Sequence, residues 1–129
     1  MCCIVSKAVE FPGQRFGEEL LSEYAHADAL VLPSHNENFG AVVIDALAWG
    51  MPVITSKGTP WCEVEKSGCG WWVDNSPAKL AEALKALTTL PNDERKAMGE
   101  RGRHFVAERY TWQIVAHRLK GVYESLLCG

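Results

Sequence analysis

Residues 29–55 read Ala29-Leu30-Val31-Leu32-Pro33-Ser34-His35-Asn36-Glu37-Asn38-Phe39-Gly40-Ala41-Val42-Val43-Ile44-Asp45-Ala46-Leu47-Ala48-Trp49-Gly50-Met51-Pro52-Val53-Ile54-Thr55. The stretch opens on a short apolar run, Ala29 to Leu32, which proline ends. A polar loop follows. Gly40 to Trp49 then has the composition of a helix, with Asn38 as its expected N-cap and Gly50 as its stop. Pro52 to Thr55 is a second apolar run. Strands that are apolar throughout, joined through a helix, indicate a parallel sheet covered on both faces.

Outward from this unit the same alternation continues. Gly70-Trp71-Trp72-Val73 reads as a further strand, and Val9-Glu10-Phe11, stopped by Pro12-Gly13, as a short earlier one. Residues 17–27 follow a helical period, with Leu20, Leu21 and Tyr24 on one side. Ser76-Pro77 is a cap followed by proline at the first helical position, and Leu80, Leu84 and Leu87 recur behind it. A helix from about Asn92 to Glu108 comes next. The last helix opens at Thr111 and sets Trp112, Val115, Leu119, Val122 and Leu126 on one stripe. The fold class is therefore α/β, a Rossmann-like parallel sheet with helices on both faces.

Bulk properties narrow the function. The chain has 129 residues, enough for one domain, with 47% hydrophobic and 22% charged residues. Its net charge of -3 argues against nucleic-acid or anionic-membrane partners, which select basic faces. No apolar run is long enough to span a bilayer, and the first residues lack a secretory layout. Five scattered cysteines, with no C-x-x-C, read as free thiols of a cytoplasmic protein rather than a disulfide framework or zinc site.

In sheets of this kind ligands bind beyond the carboxyl ends of the strands, which puts Ser34 to Phe39 at the expected site. A helix start offers free N–H groups and the positive end of a dipole, a seat for phosphate. Gly40 lets an anion approach the backbone. Asp45 is the only charge in an otherwise apolar helix and is expected to be a buried carboxylate, which needs either a ligand hydroxyl or a donor from the protein itself. Glu37 sits at the loop and Asp45 ~7 Å along the helix axis from Gly40, so both can address one ligand lying across the helix start. His35 and Lys57 lie on the same side, as phosphate contacts or solvated charges. Glu63 is a base contact or a helix-start charge. Trp61, Trp71 and Trp72 are core rings rather than sugar platforms, and the two strand tryptophans face opposite ways. Arg103 and His104 belong to a solvated helix surface.

The blocks Ala27-Asp28-Ala29-Leu30-Val31-Leu32-Pro33-Ser34, Glu37-Asn38-Phe39-Gly40, Asp45 through Ile54 and Tyr110-Thr111-Trp112 together resemble glycosyltransferase family 4, with its acidic-x7-acidic signature. The resemblance runs from about Phe11 to Leu126. It implies the C-terminal, nucleotide-sugar-binding part of a retaining GT-B enzyme, with residues 1–129 forming one partial domain. It implies that Glu37 contacts the donor sugar as the catalytic-site acid, that Asn38, Phe39 and Gly40 contact the sugar and diphosphate, and that Asp45 grips the nucleotide ribose. Asp45 stands where the family usually has glutamate, and its side chain is one methylene shorter. No metal or organic cofactor is implied. The acceptor, a sugar or lipid-linked molecule in polysaccharide synthesis, would be chosen by an acceptor domain, and a full-length parent could sit at the inner membrane face. The family's diphosphate-stabilising arginine and lysine lie in segments that this chain does not contain, so weak or absent turnover by the chain alone is expected. With strand order 3-2-1-4-5-6, residues 9–11 would be the third strand and 29–32 the fourth. An uncovered edge at Ala29–Leu32 then predicts a homodimer or a rearranged N-terminal segment. A non-catalytic nucleotide-sugar-binding module and an oligomerising fragment remain the alternatives. A nucleotide-sugar epimerase on the same fold fits less well.

Overall fold

A computed structural model describes residues 9–129 of the chain. Three parallel strands, β1 (Leu30–Leu32), β2 (Val53–Ser56) and β3 (Gly70–Val73), lie side by side in chain order. Leu30 is in register with Val53, and Val53 in turn with Gly70. All four residues of β2 are buried, as a central strand covered on both faces must be.

Six helices surround the sheet: α1 (Gly17–His26), α2 (Ala41–Ala48), α3 (Glu63–Lys66), α4 (Pro77–Thr89), α5 (Asn92–Arg109) and α6 (Trp112–Leu127). Alternation along the strands divides the core. Leu30, Leu32, Val53 and Trp72 face one way and pack with Val43 and Leu47 of α2 and with Phe105 and Val106 of α5. Ile54, Trp71 and Val73 face the other way and meet Leu80, Ala83 and Leu87 of α4. Trp71 and Trp72 thus serve opposite cores, as their adjacency in a strand requires.

Local chemistry sets the helix ends. Ser76 Oγ accepts from the Lys79 amide at 3.3 Å with Pro77 opening α4, and Thr111 Oγ1 accepts from the Ile114 amide at 3.4 Å at the start of α6. Gly50, with φ of 76°, stops α2. Two α5 arginines close carbonyl ends: Arg103 Nη2 donates to the Trp49 carbonyl at 3.2 Å, and Arg101 Nε donates to the Gly68 carbonyl at 2.8 Å. The charged face of α5 is therefore more than a solvated surface.

Five expectations are corrected. Residues 9–11 form no strand; all three are exposed, with Phe11 at 82%, and pair with no strand among the described residues. Asn38 does not cap α2; Gly40 occupies that position, in the left-handed region at φ of 73°. The one-turn helix α3 is additional, because four residues are too few to establish a period. The apolar stripe of α6 is not buried: Trp112, Leu119 and Leu126 are all exposed. On α1 only Tyr24 packs against the core, while Leu20 and Leu21 stay exposed.

Candidate functional site

Three loops leave the carboxyl ends of the three strands and are tied to one another. The Glu37 amide donates to the Gly58 carbonyl at 2.9 Å, joining the loop after β1 to that after β2. Ser56 Oγ donates to the Ser34 carbonyl. Asn75 Nδ2, beyond β3, donates to the Pro33 carbonyl at 3.2 Å, and the Lys57 amide donates to the Val73 carbonyl at 2.8 Å. A Cβ on Gly58 would overlap the Ser34 and His35 carbonyls, so glycine permits this contact.

Glu37 and Gly40 are half-buried on the ledge so formed; Asn38 and Phe39 are exposed. The Val43 amide donates to the Gly40 carbonyl at 3.0 Å, closing the first turn of α2. Ahead of it, the N–H groups of Gly40, Ala41 and Val42 have no protein acceptor among the described residues. A Cβ on Gly40 would stand 3.1 Å from Glu37 Cγ, 3.3 Å from Leu32 Cδ2 and 3.3 Å from Trp61 Nε1. The Glu37 side chain therefore lies directly beside the bare helix start. One acceptor-rich carboxylate beside three amides without a protein acceptor is an arrangement that can bind hydroxyls and an anion together.

Trp61 supports this ledge from beneath. It is 2% exposed, its Nε1 donates to the Phe39 carbonyl, and its ring lies 5.4 Å from that of Phe39 and 5.7 Å from that of Tyr110. Burial, and then the charge of Glu63, raise the Tyr110 phenol above its usual range. Trp72 Nε1 donates to the Thr59 carbonyl at 3.1 Å and holds the loop that carries Trp61. A buried indole N–H needs an acceptor, and each tryptophan finds one in a loop carbonyl.

Asp45 lies further along the same helix. It is exposed on α2, ~200° round the helix from Val43 and so away from Val43, Ala46 and Leu47. The expectation of a buried carboxylate is corrected accordingly: helical geometry turns this position outward. Its charge raises the half-buried Tyr24 phenol, after burial itself. His35 is exposed. Lys57 is engaged, 3.0 Å from Asp74 Oδ1 and 5.8 Å over the Trp72 ring. Glu63 pairs with Arg109 at 2.9 Å. Two hollows of the surface are remote from the ledge: one lined by Ser67, Arg101 and His104, the other by Tyr24, Trp49 and Arg95 at the amino ends of the strands.

A family model described as glycosyl transferases group 1 matches residues 3–105. The chain belongs to the group 1 glycosyl transferases. It is 38% identical over 125 residues to a D-inositol 3-phosphate glycosyltransferase of Corynebacterium jeikeium (strain K411), covering 95% of this chain and 29% of that protein. The corresponding protein of Corynebacterium urealyticum (strain ATCC 43042 / DSM 7109) is 39% identical over 124 residues, again 95% of this chain and 29% of the relative. Thus the group 1 transferase chain spans about three-tenths of the curated relatives it matches. Among solved structures, sucrose-phosphate synthase from Thermosynechococcus elongatus superposes with a TM-score of 0.73 at 30% identity, over 85% of this chain and 28% of that one. WaaG, a glycosyltransferase involved in lipopolysaccharide biosynthesis, gives 0.64 at 27% identity, over 76% and 27%. Among the described residues no helix is long and apolar enough to cross a membrane.

Proposed function

We propose that this chain supplies the donor-binding part of a retaining glycosyl transferase and holds a nucleotide diphospho-sugar on the ledge at residues 37–40. The observation that carries the reading is the pairing of the Glu37 carboxylate with the free amides of Gly40, Ala41 and Val42. Amides and helix dipole receive the diphosphate. Glu37 accepts from the sugar hydroxyls. Asp45, free of protein partners among the described residues, accepts from the ribose hydroxyls, with no metal needed.

Transfer itself needs charge stabilisation of the departing diphosphate. Lys57, the cation in the β2 loop, stands in an exposed pair with Asp74, and we propose that this chain alone binds donor and turns it over weakly or not at all. The acceptor, a sugar or lipid-linked molecule, docks on parts outside this chain. β1 pairs only with β2 among the described residues, and its free edge is the proposed seat of a second copy. A sugar-transfer assay with the purified chain tests the division: donor binding without transfer is the expected result. Absence of both binding and transfer would sink the reading.

A further inference from the structure

We infer that Trp61 is a positioning residue for the diphosphate, acting through the Phe39–Gly40 peptide; this rests on the donor-binding reading above. The peptide is trans, so its C=O and N–H point in opposite directions. The Trp61 indole takes the carbonyl from the buried side. The Gly40 N–H is consequently turned away from the core, where it has no protein acceptor among the described residues.

Among the described residues the indole is the one hydrogen-bond partner of this peptide. Gly40 sits at φ of 73° without a side chain, and glycine has the widest choice of backbone angles. Phe39 is exposed along one side and on the other tilts against the Trp61 and Tyr110 rings, at 5.4 and 6.2 Å. A flip of this peptide would direct a carbonyl, rather than an amide, at an anion. The indole bond opposes the flip, and its own position is rigid. The Trp61 ring is packed by Phe39 and Tyr110, and Tyr110 in turn meets Phe105 at 5.8 Å in the α5 core. The loop that bears Trp61 is held by Trp72 through Thr59. Two indoles in series thus run from the sheet to the amide that meets the ligand. A phenylalanine at either position would keep an aromatic ring and lose the bond.

The test uses the 129-residue chain, labelled with nitrogen-15 and carbon-13. Scalar coupling across the hydrogen bond between Trp61 Nε1 and the Phe39 carbonyl carbon is expected in the free chain, with slow exchange of the indole proton. Titration with UDP, GDP and ADP, and with the matching nucleosides, then compares the chain with Trp61→Phe. The expected result is a loss of at least about tenfold in diphosphate affinity, loss of the Gly40 amide shift on binding, and unchanged nucleoside affinity. A merely structural role would weaken nucleoside and diphosphate alike. Absence of the coupling, or Trp61→Phe binding diphosphates as the parent does, overturns the inference and leaves donor binding standing. A parent chain that binds none of the three diphosphates removes the donor-binding reading and the inference with it, even with the coupling intact. Should Trp61→Phe fail to fold, Trp72→Phe is the second variant, with a smaller loss confined to the diphosphate expected and an equal loss for nucleosides overturning the proposal.

Discussion

The Glu37 amide reaches the Gly58 carbonyl at 2.9 Å only because Gly58 has no side chain to strike the Ser34 and His35 carbonyls. The two loops that build the ledge are in backbone contact. Gly58→Ala must push them apart, since the overlapping atoms are backbone and have no rotamer to escape into. We expect a loss of ~1–3 kcal/mol in stability, together with displacement of the Glu37 amide resonance. Wild-type stability and an unmoved resonance would show that the loops yield without consequence.

A second pair of glycines gives opposite signs. A Cβ on Gly99 of α5 would run into the Gly50 carbonyl, where α5 crosses the end of α2, whereas Gly121 of α6 has open space around it. Gly99→Ala is expected to destabilise by ~2 kcal/mol or more. Gly121→Ala is expected to stabilise by ~0.5–1 kcal/mol, through helix propensity. Urea unfolding of the two variants measures both; equal effects would contradict the packing described.

Cys69 is fully buried beside Val64, and burial pushes its thiol up to about 11. The unfolded chain releases this proton first, near the ordinary thiol value of 9.0. Stability carried by the protonated thiol is therefore intact below pH about 9 and falls between about 9 and about 11. Cys69→Ala should flatten that part of the pH profile. Site-resolved alkylation at neutral pH should modify exposed Cys128 rapidly and spare Cys69 until the chain unfolds. Rapid labelling of Cys69 would place it outside the core.

Much of this architecture could be read from residues 29–55, because apolar runs, caps and glycine stops act locally. β1, β2 and β3, and the starts of α4 and α6 at Ser76-Pro77 and Thr111, follow such signals. What escaped depends on neighbours. Val9-Glu10-Phe11 has strand composition but no partner strand among the described residues. The left-handed Gly40, not Asn38, caps α2, and the Phe39 carbonyl just before it is held by an indole 22 residues on, a contact that spacing does not reveal. Trp61 itself carried one usable signal: a buried indole must find an acceptor. The outward turn of Asp45 was available from the helical period, since it stands two residues from buried Val43.

The free edge of β1 carries the proposed self-association. Light scattering should detect dimers as concentration rises, and Val31→Lys, on the edge strand, should reduce them. Leu119→Lys, on the exposed stripe of α6, serves as the control and should leave the dimer unchanged. A monomer at every concentration, or loss of the dimer only with Leu119→Lys, would remove the edge from the account.

The most direct test of donor binding is calorimetric titration of the chain with UDP, GDP and ADP, alongside Glu37→Ala and Asp45→Ala. The account predicts saturable binding of one nucleotide, weakened about tenfold or more by Asp45→Ala through the lost ribose contact. Glu37→Ala should matter mainly when the intact nucleotide sugar replaces the diphosphate. No heat with any nucleotide at millimolar concentration, or binding indifferent to Asp45→Ala, would contradict it.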